Sequence, residues 1–153
     1  MATHEQPGNF TSVPRWIPLA AVVLFCLALP SAAANVPTVE VKPVARTDTT
    51  ITGQPIVVPE KPDVLVSIAT FPPGARLPEH THPYPHYVYV LQGVLTVINT
   101  DARKTFRVKA GDFVVEMQNT WHYGVNEGKV PVKLLVVDQV PAGVKSNMVR
   151  KTP

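Results

Sequence analysis

The sequence predicts an all-β domain, a sandwich or small barrel, from three features: its prolines, the length of its apolar runs and the spacing of its turns. Proline supplies 17 of the 153 residues. Its ring removes a backbone donor and clashes with the preceding turn, so prolines at this density belong to sheet edges, turns and loop corners. A helical bundle is excluded. The apolar runs are four to eight residues long and show no helical period. Turn residues at Gly93, residues 99–101, Gly111, Asn119 and Gly128 punctuate them. Seven short strands so spaced describe two packed antiparallel sheets or a closed barrel.

Taken in order, residues 1–34 read as an address. Arg15 precedes nineteen uncharged positions, 16–34, which end in Ser31-Ala32-Ala33-Ala34 before Asn35. A basic flank, a short apolar stretch and small residues at the cut are the parts of a secretory signal peptide, with cleavage after Ala34. The alternative is an uncleaved membrane anchor. Pro18 and Pro30 leave only residues 19–29 for a helix, short of the ~20 needed to span a bilayer. A single arginine also rules out a twin-arginine signal. The expected location is periplasmic or secreted. Cys26 lies inside the leader, so a mature chain of about 119 residues has no cysteine, and any metal site in it must use histidine and carboxylate.

Residues 35–62 carry Pro37, Pro43, Pro55, Pro59 and Pro62. They read as an extended arm holding one or two edge strands. The barrel proper is expected over 63–140. Its first strand, 64–71, is a continuous apolar run stopped by Pro72-Pro73-Gly74, and strands over 86–91, 94–98, 105–108, 113–116, 121–125 and 132–137 follow. Residues 141–153 form a basic tail, with or without a strand. Fourteen basic and eleven acidic residues give a net charge of +3, scattered along the chain. That field is too weak and diffuse for nucleic acid.

The histidines carry the chemical information. Beyond His4 there are four: His80, His82, His86 and His122. Pro83 and Pro85 keep His80-Thr81-His82-Pro83-Tyr84-Pro85-His86 extended. In an extended chain positions i and i+2 share a face, so His80 and His82 project together, and the turn brings His86 round. His122 is the one candidate left for a fourth ligand.

The spacing of Gly74, His80-x-His82, His86 and Gly93 resembles the first motif of the cupin superfamily. Gly111, Met117, Asn119, His122 and Asn126 resemble the second. The family usually has glutamate where His86 stands, and proline and glycine at the places of Met117 and Asn119. The match is similar to the small single-domain, four-histidine subset. It implies a jelly-roll-like β-barrel of six to eight strands with one divalent transition metal, Mn, Fe, Co, Ni, Cu or Zn, held by His80, His82, His86 and His122.

Four neutral ligands leave the ion's charge uncompensated, which favours a small anionic or enolisable organic ligand. An open octahedral site suits a dioxygenase-like oxidoreductase or a metal-assisted isomerase or lyase, and a closed one suits a non-catalytic binding module. No catalytic acid or base stands out, and no Ser-His-Asp set, phosphate loop or dinucleotide fingerprint is present. Glu79 reads as solvated or paired with Arg76, and Glu116 as an ordinary surface residue. Alternation from His86 puts Val88 and Val90 inside, and Tyr87 and Tyr89 outside. Phe71, Leu77 and Met117 are candidate pocket lining, with plain core as the reading to prefer. Outward Tyr87, Tyr89, Trp121 and Tyr123 suggest burial under the arm or in a homodimer contact.

Overall fold

The computed structural model describes residues 36–152, so the expected signal segment and Cys26 lie outside the described residues. Among the described residues no helix is long and apolar enough to cross a membrane. Residues 36–39, assigned to a first unit, are exposed and without regular structure. The second unit, from Glu40 onward, holds the strands.

Among the described residues nine strands follow in order: β1 (Pro62–Phe71), β2 (His80–Thr81), β3 (His86–Gln92), β4 (Val94–Asn99), β5 (Lys104–Lys109), β6 (Phe113–Val115), β7 (His122–Val125), β8 (Val132–Pro141) and β9 (Val149–Arg150). They form two antiparallel sheets, ordered β1-β8-β3-β6 and β5-β4-β7-β2-β9. The described residues are all-β and built as a cupin-like barrel.

One strand run turns the corner between the sheets. β3 ends in a bulge between Val90 and Gln92, and after Gly93 the chain continues as β4 in the other sheet. Gly93 has φ +80°, and a Cβ there would lie 2.9 Å from both the Pro131 carbonyl oxygen and Val132 Cγ2. Only glycine fits this close approach of two backbones. The core fills the space between the sheets with Val88 and Val90 of β3, Leu95 and Val97 of β4, and Leu134 and Val136 of β8. Inward alternation along β3 follows the pattern the sequence predicts.

Three expectations change. The arm contains no edge strand: among its described residues there is one bridge, Thr49 to Pro55. Its backbone is satisfied elsewhere, through Ile51 N donating to Val115 O and Val57 N to Gln118 Oε1. The apolar run of β1 is only partly covered even on its inner face, where Leu65 and Ala69 are half-buried and Phe71 buried, and Val64, Val66 and Ile68 are 57%, 64% and 58% exposed on the other. Finally, two of the outward aromatics are capped by cations: the Arg76 guanidinium lies 3.6 Å over the Tyr123 ring, and Lys151 Nζ 5.5 Å from the Trp121 ring. Arg76 is therefore not the partner of Glu79, which pairs with Lys151 at 3.1 Å.

Candidate metal centre

Local backbone geometry delivers the four imidazoles to one end of the barrel. His80 opens β2 and His122 opens β7, and the two are directly paired across those strands. His82 follows two residues after His80 and is held by a bridge to Gln118. His86 opens β3 opposite Asp138 of β8. The rings pack together: His82 stacks on His86 with centroids 3.9 Å apart, while His80 and His122 are 4.6 Å apart and His82 and His122 5.1 Å. His80, His82 and His122 are 3% exposed or less.

Every one of these rings is anchored through the same atom. His80 Nδ1 donates to Pro78 O at 2.7 Å and His82 Nδ1 to Asn147 O at 2.9 Å. His86 Nδ1 meets Asp138 Oδ1 at 2.6 Å and His122 Nδ1 meets Thr120 O at 2.7 Å. A carbonyl or carboxylate oxygen only accepts, so each Nδ1 carries a proton and each Nε2 is left as the atom that can face an ion, which for His122 means giving up the proton it shares with Glu116 Oε2 at 3.1 Å. This is how metal-binding histidines are oriented in proteins.

The Nε2 atoms surround a carboxylate. Glu116 Oε2 is 3.1 Å from His122 Nε2, 3.2 Å from His82 Nε2 and 3.9 Å from His86 Nε2. Glu116 is 7% exposed, which overturns its reading as a surface residue. It directly follows the three-residue β6, and its N–H donates to His86 O, which fixes it beside the rings. His80, His82, Glu116 and His122 each offer one ligand atom, all within 4.8 Å of one another; His82, His86 and Asp138 form a second such group.

The donor set fits a metal. Ligand atoms ~2.1 Å from a common ion stand about 3.0 Å apart at right angles and about 4.2 Å apart when opposite; the three distances to Glu116 Oε2 lie in that range. Buried His82 Nε2 has no hydrogen-bond partner, an orphaned lone pair of the kind a cation would satisfy. Glu116 also corrects the charge balance expected from four neutral ligands, because its carboxylate offsets one unit of a dication.

Electrostatics keep the carboxylate ionised. Burial alone would raise the Glu116 pKa, but contacts with His122 and His82 hold it well below the usual range. Burial works against protonation of His122 too, yet Glu116 raises its pKa on balance. Burial lowers His82, and it pushes His80 down to about 4.

A cavity of about 310 Å³ opens beside the cluster. Its walls are mostly apolar, with Phe71, Leu77, Leu95, Leu134, Val136 and Met148, and its polar lining includes Ser67, Lys145 and Ser146. Phe71 and Leu77 line it, although the sequence reading favours plain core for both, and both also belong to or pack on the core. Met117 does not: it is fully buried in the core. Asn119, in the place where the family usually has glycine, adopts φ 52°. Asparagine tolerates that left-handed backbone, so the turn survives the replacement.

Two sheets enclosing an apolar cavity, with oriented imidazoles and a carboxylate at one end, define a β-barrel with a candidate metal centre. Residues 67–138 match the family described as Cupin domain. The described barrel carries a cupin domain over these residues. Among solved structures it is similar to the polyketide cyclase RemF from Streptomyces resistomycificus, with TM-score 0.50 and 20% identity over 59% of this chain and 61% of that one. An oxalate decarboxylase from Lactobacillus farciminis gives TM-score 0.48 and 27% identity over 57% of this chain and 26% of that one. The lyase DddQ from Ruegeria pomeroyi gives 0.49 and 20%, over 59% and 44%. The chain thus spans less than two thirds of each of these proteins, and the likeness to the cyclase speaks to the fold alone. No curated protein matches the chain.

Proposed function

We propose that this cupin is an exported, metal-dependent oxidoreductase, dioxygenase-like, acting on a small anionic or enolisable organic molecule. The observation that carries the reading is the uniform anchoring of four Nδ1 atoms, which leaves the Nε2 atoms as the ligating ones, three of them within 3.9 Å of Glu116 Oε2, beside an apolar cavity. His80, His82, His122 and Glu116 would hold the ion, with His86 as the adjoining fifth donor. A bound redox-capable ion would supply Lewis acidity and electron transfer. The chain's own residues orient the ligands, exclude bulk water with the Phe71, Leu77 and Leu95 walls, and offer Lys145 to an anion entering the cavity. Oxygen uptake by Fe-, Mn- or Cu-loaded protein with a panel of enols, diketones and phenols tests this. Turnover without oxygen would replace it with isomerase or lyase chemistry, and silence with every metal would remove the enzymatic reading.

A second reading, a non-catalytic metal- or ligand-binding module, rests on one feature. The two carboxylates lining the cavity, Glu116 and Asp138, are both engaged by histidine, which leaves neither as a free acid or base. Tight stoichiometric metal without exchangeable water would favour it. In either reading the proposal of export is supported by the signal-like sequence pattern of residues 1–34. A homodimer is supported by the apolar outer face of β1, where Val64, Val66 and Ile68 are exposed.

A further inference from the structure

We infer that Asn147, from the tail and outside both motifs, is a positioning residue that couples the metal centre to the docking of the C-terminal segment. This rests on the metal-centre reading above. Asn147 is 4% exposed and uses its side-chain amide and main-chain carbonyl on the site at once. Its main-chain oxygen accepts from His82 Nδ1 at 2.9 Å. Its Nδ2 donates to Asp138 Oδ1 at 2.7 Å, the same oxygen that accepts from His86 Nδ1. The remaining capacity of the amide pins the turn between those two histidines: Nδ2 also reaches Tyr84 O, and Oδ1 accepts from Tyr84 N, both at 3.0 Å. One residue therefore sets the orientation of His82 directly and of His86 through Asp138.

The segment that carries it is docked at both ends of the site. Lys145 and Met148 line the cavity. Beyond them Val149 and Arg150 pair with Thr81 and His80, and Lys151 N donates to Glu79 O. Metal ligation at Nε2 makes the opposite N–H a stronger donor, and an acceptor at Nδ1 makes Nε2 a better ligand. By reciprocity, whatever Asn147 adds to metal affinity the metal must add to the docking of this segment.

Two measurements on the full-length chain decide the matter, with Co(II) as probe. Asn147→Ala is expected to bind Co(II) about 10- to 100-fold more weakly and to change its visible absorption, which reports ligand geometry. A merely structural role would lower melting temperature with and without metal alike and leave the spectrum unchanged. Affinity within twofold of wild type with an unchanged spectrum overturns the inference. In the wild-type protein, Co(II) is expected to slow hydrogen exchange at the Met148 and Lys151 amides by roughly the same factor. Unchanged exchange overturns the coupling even where the variant does not fold. Failure of the wild-type protein to bind Co(II) at all is distinct from both, because it removes the metal centre itself.

Discussion

Glu116→Gln is the sharpest probe of the centre, because it removes a charge while keeping the size and planarity of the side chain. In the metal-free protein the substitution is expected to be mild. A glutamine amide can donate to the His122 and His82 nitrogens that now face Oε2 at 3.1 and 3.2 Å, so no buried group is left orphaned. The lost charge also relieves the His122 ring, whose pKa Glu116 raises, so its imidazole resonance should titrate lower than in wild type. With metal the effect reverses. Taking one charged partner from a buried ionic cluster costs about 3–5 kcal/mol, and at ~1.4 kcal/mol per tenfold this is two to three and a half orders of magnitude in affinity. Competition of Zn(II) against a chelator of known strength reads this, with His86→Gln as the comparison. His86 Nε2 is the farthest of the three nitrogens from Glu116 Oε2, at 3.9 Å, so its loss should weaken binding less. Zinc affinity in folded Glu116→Gln within threefold of wild type, or a larger loss from His86→Gln, would refute the placement of Glu116 among the ligands.

Other expectations follow from single features. Gly93→Ala combines a left-handed backbone, ~1–2 kcal/mol, with overpacking against Pro131 and Val132, ~1–3 kcal/mol, so urea denaturation should show a loss of about 2–5 kcal/mol. Acid should destabilise the metal-free protein between pH 6.5 and about 4. The unfolded chain takes up protons there that buried His80 and His82 refuse in the folded state, whereas His122, shifted upward, opposes them one against two. Thermal melts across that range check the sign, and a rise in stability on acidification would contradict it. Val66→Asp is expected to convert a dimer to a monomer in sedimentation velocity, and a wild-type monomer would dismiss the interface. N-terminal sequencing of protein from the extracellular side should begin at Asn35, whereas a product retained in membranes and starting at Met1 would favour the anchor.

How far the sequence spoke for itself differs between strands and site. The strands from β3 to β7 lie within one residue of the apolar runs, because alternation and turn residues act locally, while β8 starts where its run does and continues four residues further, to Pro141. β2 and β9, at two residues each, are too short to carry a period and exist through pairing with each other and with β7. The histidines announced themselves by type and spacing. Glu116 did not, since a lone acid after a strand looks like surface until the fold closes around it; the one local hint is its place between Val115 and Met117, both fully buried. Asn147 gave no signal, because its partners His82 and Tyr84 lie 65 and 63 residues earlier.

That separation also bears on when the protein becomes competent. Synthesis runs from the amino end, so all four rings emerge before the residue that braces two of them. A nascent chain ending short of position 147 has the donors but not their alignment, and would release a captured ion easily. Metal selection would thereby wait until position 147 has emerged, and if the chain is exported before it folds, as proposed above, the ion would come from the destination compartment rather than from the cytosol.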